Sequence, residues 1–139
     1  AGARQITVAN RTVAKAEDLV QRHAAIAARH GTQLRAAPLD GISGDFDLVI
    51  NATASSLAGD AVPVPATVLR PGCLAYDMMY GPAAQGFLDW ARQHGAIPRD
   101  GLGMLVEQAA EAFAIWRGVR PPSAQVLAEL QAELAQPAG

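Results

Sequence analysis

The chain has 139 residues, half of them apolar and 5% aromatic, and a formal net charge of −2. That is the size of one ordinary domain or a piece of a larger one, with enough Ala, Val and Leu to bury a core. The near-neutral balance excludes a general pull toward nucleic acid or anionic membrane, so any anion site has to be local. Cys73 is the only cysteine, so no internal disulfide can form, which fits a reducing cytoplasm. No apolar run approaches the roughly 20 residues that span a bilayer. The opening Ala1-Gly2-Ala3-Arg4 has neither an initiating Met nor the apolar stretch of a signal peptide, which reads as a chain cut from something longer.

In chain order, Ile6-Thr7-Val8 predicts a strand over 5–10 that ends directly in Asn10-Arg11-Thr12. Val13, Ala16, Leu19, Val20, His23, Ala24 and Ala27 recur at helical spacing, and Gly31 stops that helix. Residues 33–37 form a weaker strand candidate. Phe46-Asp47-Leu48-Val49-Ile50-Asn51 reads as a buried parallel strand, and 52–65 as a long loop of small, polar and Pro residues. Val68 and Leu69 fall in a short turn before Pro71-Gly72, with the next strand at Cys73–Asp77 and its helix at 83–94. A very short strand at Ala96-Ile97 leads to Asp100, a candidate N-cap for a helix over about 101–117. After Pro121-Pro122, Val126, Leu127, Leu130 and Leu134 predict a final amphipathic helix over 123–135.

Alternating strands and helices predict an α/β fold, a Rossmann-like parallel sheet flanked by helices. Such a fold begins with a strand leading into a Gly-x-Gly-x-x-Gly turn that holds a pyrophosphate, and neither the strand nor the Gly-rich loop is expected here. In the sheet order 3-2-1-4-5-6 that strand would lie between the strands ending at Asn10 and Asn51, leaving both with unpaired backbone. A free-standing, non-catalytic nucleotide-binding module would be expected to fill that slot. The reading therefore favours a truncated or proteolysed piece over such a module.

The first crossover carries the most chemistry. An acidic residue at the end of the second strand of a dinucleotide fold bonds the ribose 2′-hydroxyl of NAD. This chain places Asn10, Arg11, Thr12 and, one turn on, Lys15 there instead. A guanidinium fork and a compact ammonium suit a 2′-phosphate, so the expected cofactor is NADP. Two solvated charges on a first helical turn are the plainer alternative. Cations at a helix N-terminus are poor design unless something negative binds, which favours the cofactor. Farther on, Gly101, Met104 and Gln108 share one helix face within roughly 60° at about 100° per residue. The apolar stripe Leu102, Leu105, Val106, Ala109, Phe113 and Trp116 runs beside it. Cys73 reads as a small buried apolar residue, and Asp77 as a loop cap rather than an acid.

Four segments in order, NRTVAK at 10–15, INATAS at 50–55, YDMMYGP at 76–82 and DGLGMLVEQA at 100–109, together resemble the C-terminal, NADP-binding half of shikimate dehydrogenase. The resemblance runs from Ile6 to about Leu134, so residues 1–139 are expected to form one cofactor-binding domain. It implies NADPH-dependent, reversible reduction of 3-dehydroshikimate to shikimate. It places Asn10, Arg11, Thr12 and Lys15 on the adenosine ribose and its 2′-phosphate, Thr53 on a loop passing the cofactor, and Met78 and Gly101 at the nicotinamide. Tyr80 and Gln108 would bond the substrate. The family's catalytic Lys and Asp lie in an N-terminal substrate domain, so no catalytic residue is assigned here and the chain alone is expected to be inactive. The partners expected are the substrate pair, that N-terminal domain and, as one candidate, a second copy in a homodimer, with no nucleic acid, membrane or metal. A quinate/shikimate dehydrogenase paralogue is the competing enzyme reading.

Overall fold

The computed structural model describes residues 2–53 and 62–135. They divide into two compact units, one formed by Ala1–Asp45 with Pro63–Val68 and the other by Phe46–Val62 with Leu69–Gly139.

The first unit is a single β-α-β crossover. Strand β1 (Gln5–Asn10) runs parallel to β2 (Gln33–Pro38) in an unbroken register from Gln5 opposite Gln33 to Asn10 opposite Pro38. Helix α1 (Val13–Arg29) joins them and ends where Gly31 adopts a φ of +66°, a left-handed conformation that costs glycine little. The amide of Gln33 donates to the carbonyl of Arg4 at 2.8 Å, and the Thr32 hydroxyl donates to that of Ala3 at 2.8 Å, which fixes where β1 begins relative to β2. Of the helical stripe read from the sequence, only Ala16 and Ala27 are buried, while Val13 and Leu19 stay partly in solvent.

The second unit is a three-stranded parallel sheet with four further helical segments. Strand β3 (Phe46–Asn51) pairs with β4 (Leu69–Asp77), which pairs with β5 (Ile97–Arg99). Helix α2 (Gln85–Gln93), introduced by a 3₁₀ turn at Gly81–Ala84, packs on β4 and β5 through Phe87, Leu88 and Ala91. Helix α3 (Leu102–Arg117) buries Leu102, Val106 and Ala110, ends at Gly118 with φ +70°, and packs against α4 (Ser123–Ala135). Fully burying side chains such as Phe87 and Leu88 contributes about 1.5–3 kcal/mol each, so this unit carries the larger hydrophobic driving force. Cys73 is buried as expected. No described helix is long and apolar enough to cross a membrane.

Three expectations are revised. β4 begins at Leu69 rather than Cys73, because the ladder runs through Pro71-Gly72 as an irregularity instead of breaking there. Leu69 pairs with Phe46, and pairing resumes at Leu74 opposite Leu48. Gly72 turns through a φ of +77° and donates its amide to Gly95 at 2.8 Å, and Arg70 forms an ion pair with Asp47. Secondly, β3 is parallel but not buried. Leu48 is 47% exposed and Ile50 55%, because β3 is an edge strand with β4 as its strand partner among the described residues. β1 is likewise an edge strand, paired to β2, and β1 and β3 belong to different sheets. Thirdly, the cap of α3 is Gly101, one residue later than expected. Asp100 still takes part, since its Oδ1 accepts the Leu102 amide at 3.2 Å.

Candidate functional site

The sequence-predicted residues fall into two groups, one in each unit, and both lie at the C-terminal ends of parallel strands, where open α/β sheets hold ligands. In the first unit β1 ends at Asn10, whose side-chain oxygen accepts the Thr12 amide at 2.9 Å and turns the chain from strand to helix. Thr12 is the N-cap of α1 in extended conformation, yet its hydroxyl makes no capping bond. Arg11 and Lys15 are both exposed, and neither side chain has an ion-pair or hydrogen-bond partner among the described residues. The first turn of α1 holds no acidic residue. A helix N-terminus carries partial positive charge and unsatisfied amides, so two free cations and a free hydroxyl there make a locally anion-seeking surface.

The second group is built differently. Asn51 ends β3 directly opposite Asp77, which ends β4. Asn51 Oδ1 accepts from both the amide (3.1 Å) and the hydroxyl (2.8 Å) of Thr53, so Thr53 is folded back on the strand end. Asn51 Nδ2 donates to Asp77 Oδ2 at 3.0 Å, and Asp77 Oδ1 accepts the Met79 amide at 2.9 Å. Asp77 is 0% exposed, so the carboxylate acts as an internal loop cap, as its sequence context suggests. The Met78 amide donates to the Asn51 carbonyl at 3.0 Å. Met78 and Tyr80 then project at the surface, each about two-fifths exposed.

Gly101 joins the same cluster, for a reason the sequence does not reveal. Its amide donates to the Met79 carbonyl at 2.8 Å. A Cβ at position 101 would lie 2.2 Å from the Met78 carbonyl oxygen. The space left by the missing side chain is therefore filled by the backbone of Met78, not left open for a ligand. Gln108, two turns into α3, is exposed and stands on the helix face away from buried Leu102, Val106 and Ala110. Met104 shares its face and is exposed too, as the helical spacing predicts. Residues 54–61, which complete the loop after Thr53 and include the Ala54-Ser55 end of the INATAS segment, lie outside the described residues.

Two further electrostatic features border this group. Burial, with the Asp100 charge adding to it, raises the Tyr76 phenol above its ordinary value. Between α3 and α4, Arg120 bonds Glu107 at 2.7 Å and Glu111 at 2.6 Å, and the Ser123 hydroxyl donates to Glu107 at 2.7 Å. The Ser123 bond, then Arg120, holds the Glu107 carboxyl below the usual carboxylate range against the opposing effect of burial. Sequence reading missed this clamp and Asn51. A signal for Asn51 exists: an Asn at a strand end with Thr two residues on is the pattern of a side-chain-closed turn.

Known proteins are similar to this chain in sequence and in fold. The family model described as the shikimate 5′-dehydrogenase C-terminal domain matches residues 101–131, which covers α3 and most of α4. A relative from Verminephrobacter eiseniae named shikimate dehydrogenase (NADP(+)) is 74% identical over 99% of this chain and 48% of its own length. A crystal structure of a shikimate dehydrogenase in complex with NADP+ superposes with a TM-score of 0.72 at 30% identity, covering 95% of this chain and 47% of that one. The ligand-free 5-ketofructose reductase of Gluconobacter sp. strain CHM43 is 33% identical with a TM-score of 0.69, over 93% of this chain and 48% of that one. The chain thus spans about half the length of the curated relatives it matches. By sequence and by fold it is similar, over nearly all of its length, to the C-terminal half of the shikimate dehydrogenases.

Proposed function

We propose that this chain is the cofactor-holding half of an NADP-dependent shikimate dehydrogenase, an oxidoreductase that interconverts 3-dehydroshikimate and shikimate. The observation that carries this reading is the 74% identity, across 99% of the chain, to a relative bearing that name. The residues present fit the cofactor. Arg11, Lys15 and the Thr12 hydroxyl, free of other partners and beside a helix N-terminus without an acid, are the donor set a phosphate monoester needs. NAD lacks that phosphate, and a carboxylate to bond its 2′-hydroxyl is absent from Asn10–Lys15.

On this reading Asn10, Arg11, Thr12 and Lys15 hold the adenosine ribose and its 2′-phosphate. Thr53 steers the cofactor past the end of β3, and Met78, seated on Gly101, packs at the nicotinamide. When bound, NADP supplies or accepts the hydride at that ring. Tyr80 and Gln108 donate to substrate oxygens, and the groups that move the proton belong to an N-terminal half, so this half alone turns nothing over. That half would also cover the apolar flank of α3 beside Gln108, where Leu105 is exposed and Trp116 reaches 79%. A domain seated there would bring its substrate within reach of Gln108. The similarity to a 5-ketofructose reductase supports a reading in which substrate choice does not rest on this half alone.

The test is steady-state kinetics on the full-length protein that carries this half, with shikimate, quinate and 5-ketofructose-type polyols as substrates and NADP+ or NAD+ as acceptor. Shikimate oxidation that prefers NADP+ is the expected result. Turnover of quinate or a polyol in its place, or a preference for NAD+, would overturn the reading.

A further inference from the structure

We infer that Asn51 and Asp77 act together as a positioning pair that sets Thr53 and the Met78–Tyr80 segment as one unit. Each end of the pair is committed by hydrogen-bond chemistry. Of the two side-chain atoms of Asn51 only Oδ1 can accept the Thr53 amide and hydroxyl, which leaves Nδ2, a donor, facing β4. The group that meets it must accept there while also accepting the Met79 amide, and a carboxylate is acceptor-only on both oxygens. Nothing apolar explains a fully buried acid at the last residue of β4, and a buried polar group is costly unless it is bonded.

The backbone reinforces the link. The Met78 amide reaches the Asn51 carbonyl, and Gly101 closes onto Met79 from the start of α3. A shift at Thr53 therefore passes through Asn51 and Asp77 to Met79, with no slack residue between them. For what the two segments hold, the inference rests on the function proposed above: Thr53 carries the cofactor contact, and Met78–Tyr80 the nicotinamide and substrate contacts. The pair thus fixes the distance between two binding functions without touching either ligand, which makes both residues positioning residues.

The logic of donors and acceptors supplies the experiment. In Asp77→Asn, the new amide must turn its donor either toward Asn51 Nδ2 or toward the Met79 amide, or force Asn51 to turn and release Thr53. In the exchanged pair N51D/D77N, the carboxylate at 51 accepts from Thr53 and from the amide at 77, whose oxygen accepts the Met79 amide. These four bonds are restored, with donor and acceptor reversed between positions 51 and 77. In the full-length protein, amide hydrogen exchange at Thr53 and Met79 is read beside KM for NADP+ and for shikimate. Asp77→Asn is expected to speed exchange at both amides, and to raise both KM values, by about tenfold, the size of one buried bond left unmade. The exchanged pair is expected to recover most of both effects.

The unaltered protein gives a measure that needs no variant: the two amides should open together, with the same dependence on denaturant. Independent opening, exchange in Asp77→Asn within about twofold of the parent, or failure of the exchanged pair to recover either amide would overturn the pairing. If the parent shows no shikimate oxidation, it is the proposed function that falls, and the exchange measurements still decide the pair.

Discussion

The two groups at the strand ends solve opposite problems. At Asn10–Lys15 the side chains that matter are exposed, charged and unengaged, and the local backbone is held by one side-chain bond from Asn10 to Thr12. At Asn51–Met79 the polar groups are part-buried and engaged: an amide, a buried carboxylate, a hydroxyl and three backbone amides bond to one another. An exposed cation pair attracts a charged ligand but does little to fix its geometry, since each long side chain keeps its freedom until the ligand arrives. A buried network attracts nothing from solution, but it holds the loops it ties to a narrow set of positions. On the proposed function, affinity and alignment would be assigned to different units of the chain.

The sharpest way to break this contrast is at Gly101. A Cβ there meets the Met78 carbonyl oxygen at 2.2 Å and its carbon at 2.7 Å, both backbone atoms that cannot swing away. Gly101→Ala should cost about 3 kcal/mol, at the upper end of overpacking effects, in urea melts of the full-length protein. A loss under about 0.5 kcal/mol, typical of a neutral surface change, would show that the second group is not rigid.

Arg11→Asp comes next and probes the first group. Loss of a charge-assisted bond to phosphate, with a like charge put in its place, should raise KM for NADP+ about 100-fold, and the melting curve should hardly move. KM for NAD+ should change far less. Equal losses with both cofactors would remove the phosphate from that crossover. Because the cations are exposed, the NADP+ affinity of the parent should also weaken several-fold between about 0.05 and 0.5 M salt, as screening shortens from over 10 Å toward a few Å.

A smaller effect concerns pH. Glu107 has its folded pKa lowered by Ser123 and Arg120, so it stabilises the α3–α4 packing fully above its unfolded value, and the contribution disappears as pH falls through the lowered folded value. Exchange in α4 should therefore accelerate in the acid range in the parent, and Glu107→Gln should flatten that dependence. Because these groups are exposed, the change should be modest. The smallest effect expected is that of Thr12→Ala. N-cap substitutions of this kind typically cost about 1 kcal/mol, but the Thr12 hydroxyl makes no capping bond, so less than about 0.5 kcal/mol should be lost. A larger loss would show that the hydroxyl caps α1 in solution and is not free for a ligand.

Much of the fold was legible because it is written locally. The span of α1 follows from its period and Gly31, and α3 ends at Arg117 because Gly118 supplies the left-handed turn. Pro71-Gly72 misled because a prolyl residue lacks the amide a regular ladder needs, yet the irregularity opposite Asp47 absorbs it and β4 continues back to Leu69. The burial of β3 was misjudged because a β-branched, charge-poor run looks the same in the middle of a sheet and at its edge. Which of these it occupies depends on strands far away in the sequence.

What the sequence determined by itself is the chemistry on short stretches: cations where an acid would suit NAD, and Met104 and Gln108 on one face of α3. Each rests on groups only a few residues apart, whose spacing the backbone geometry fixes. Only the tertiary structure decided that Asn51 meets Asp77 across 26 residues, and that Gly101 is glycine because the carbonyl of Met78 occupies the place of its side chain. Those contacts depend on strand register and on the angle at which α3 leaves β5. These are settled by packing of the whole sheet, and no local pattern encodes them.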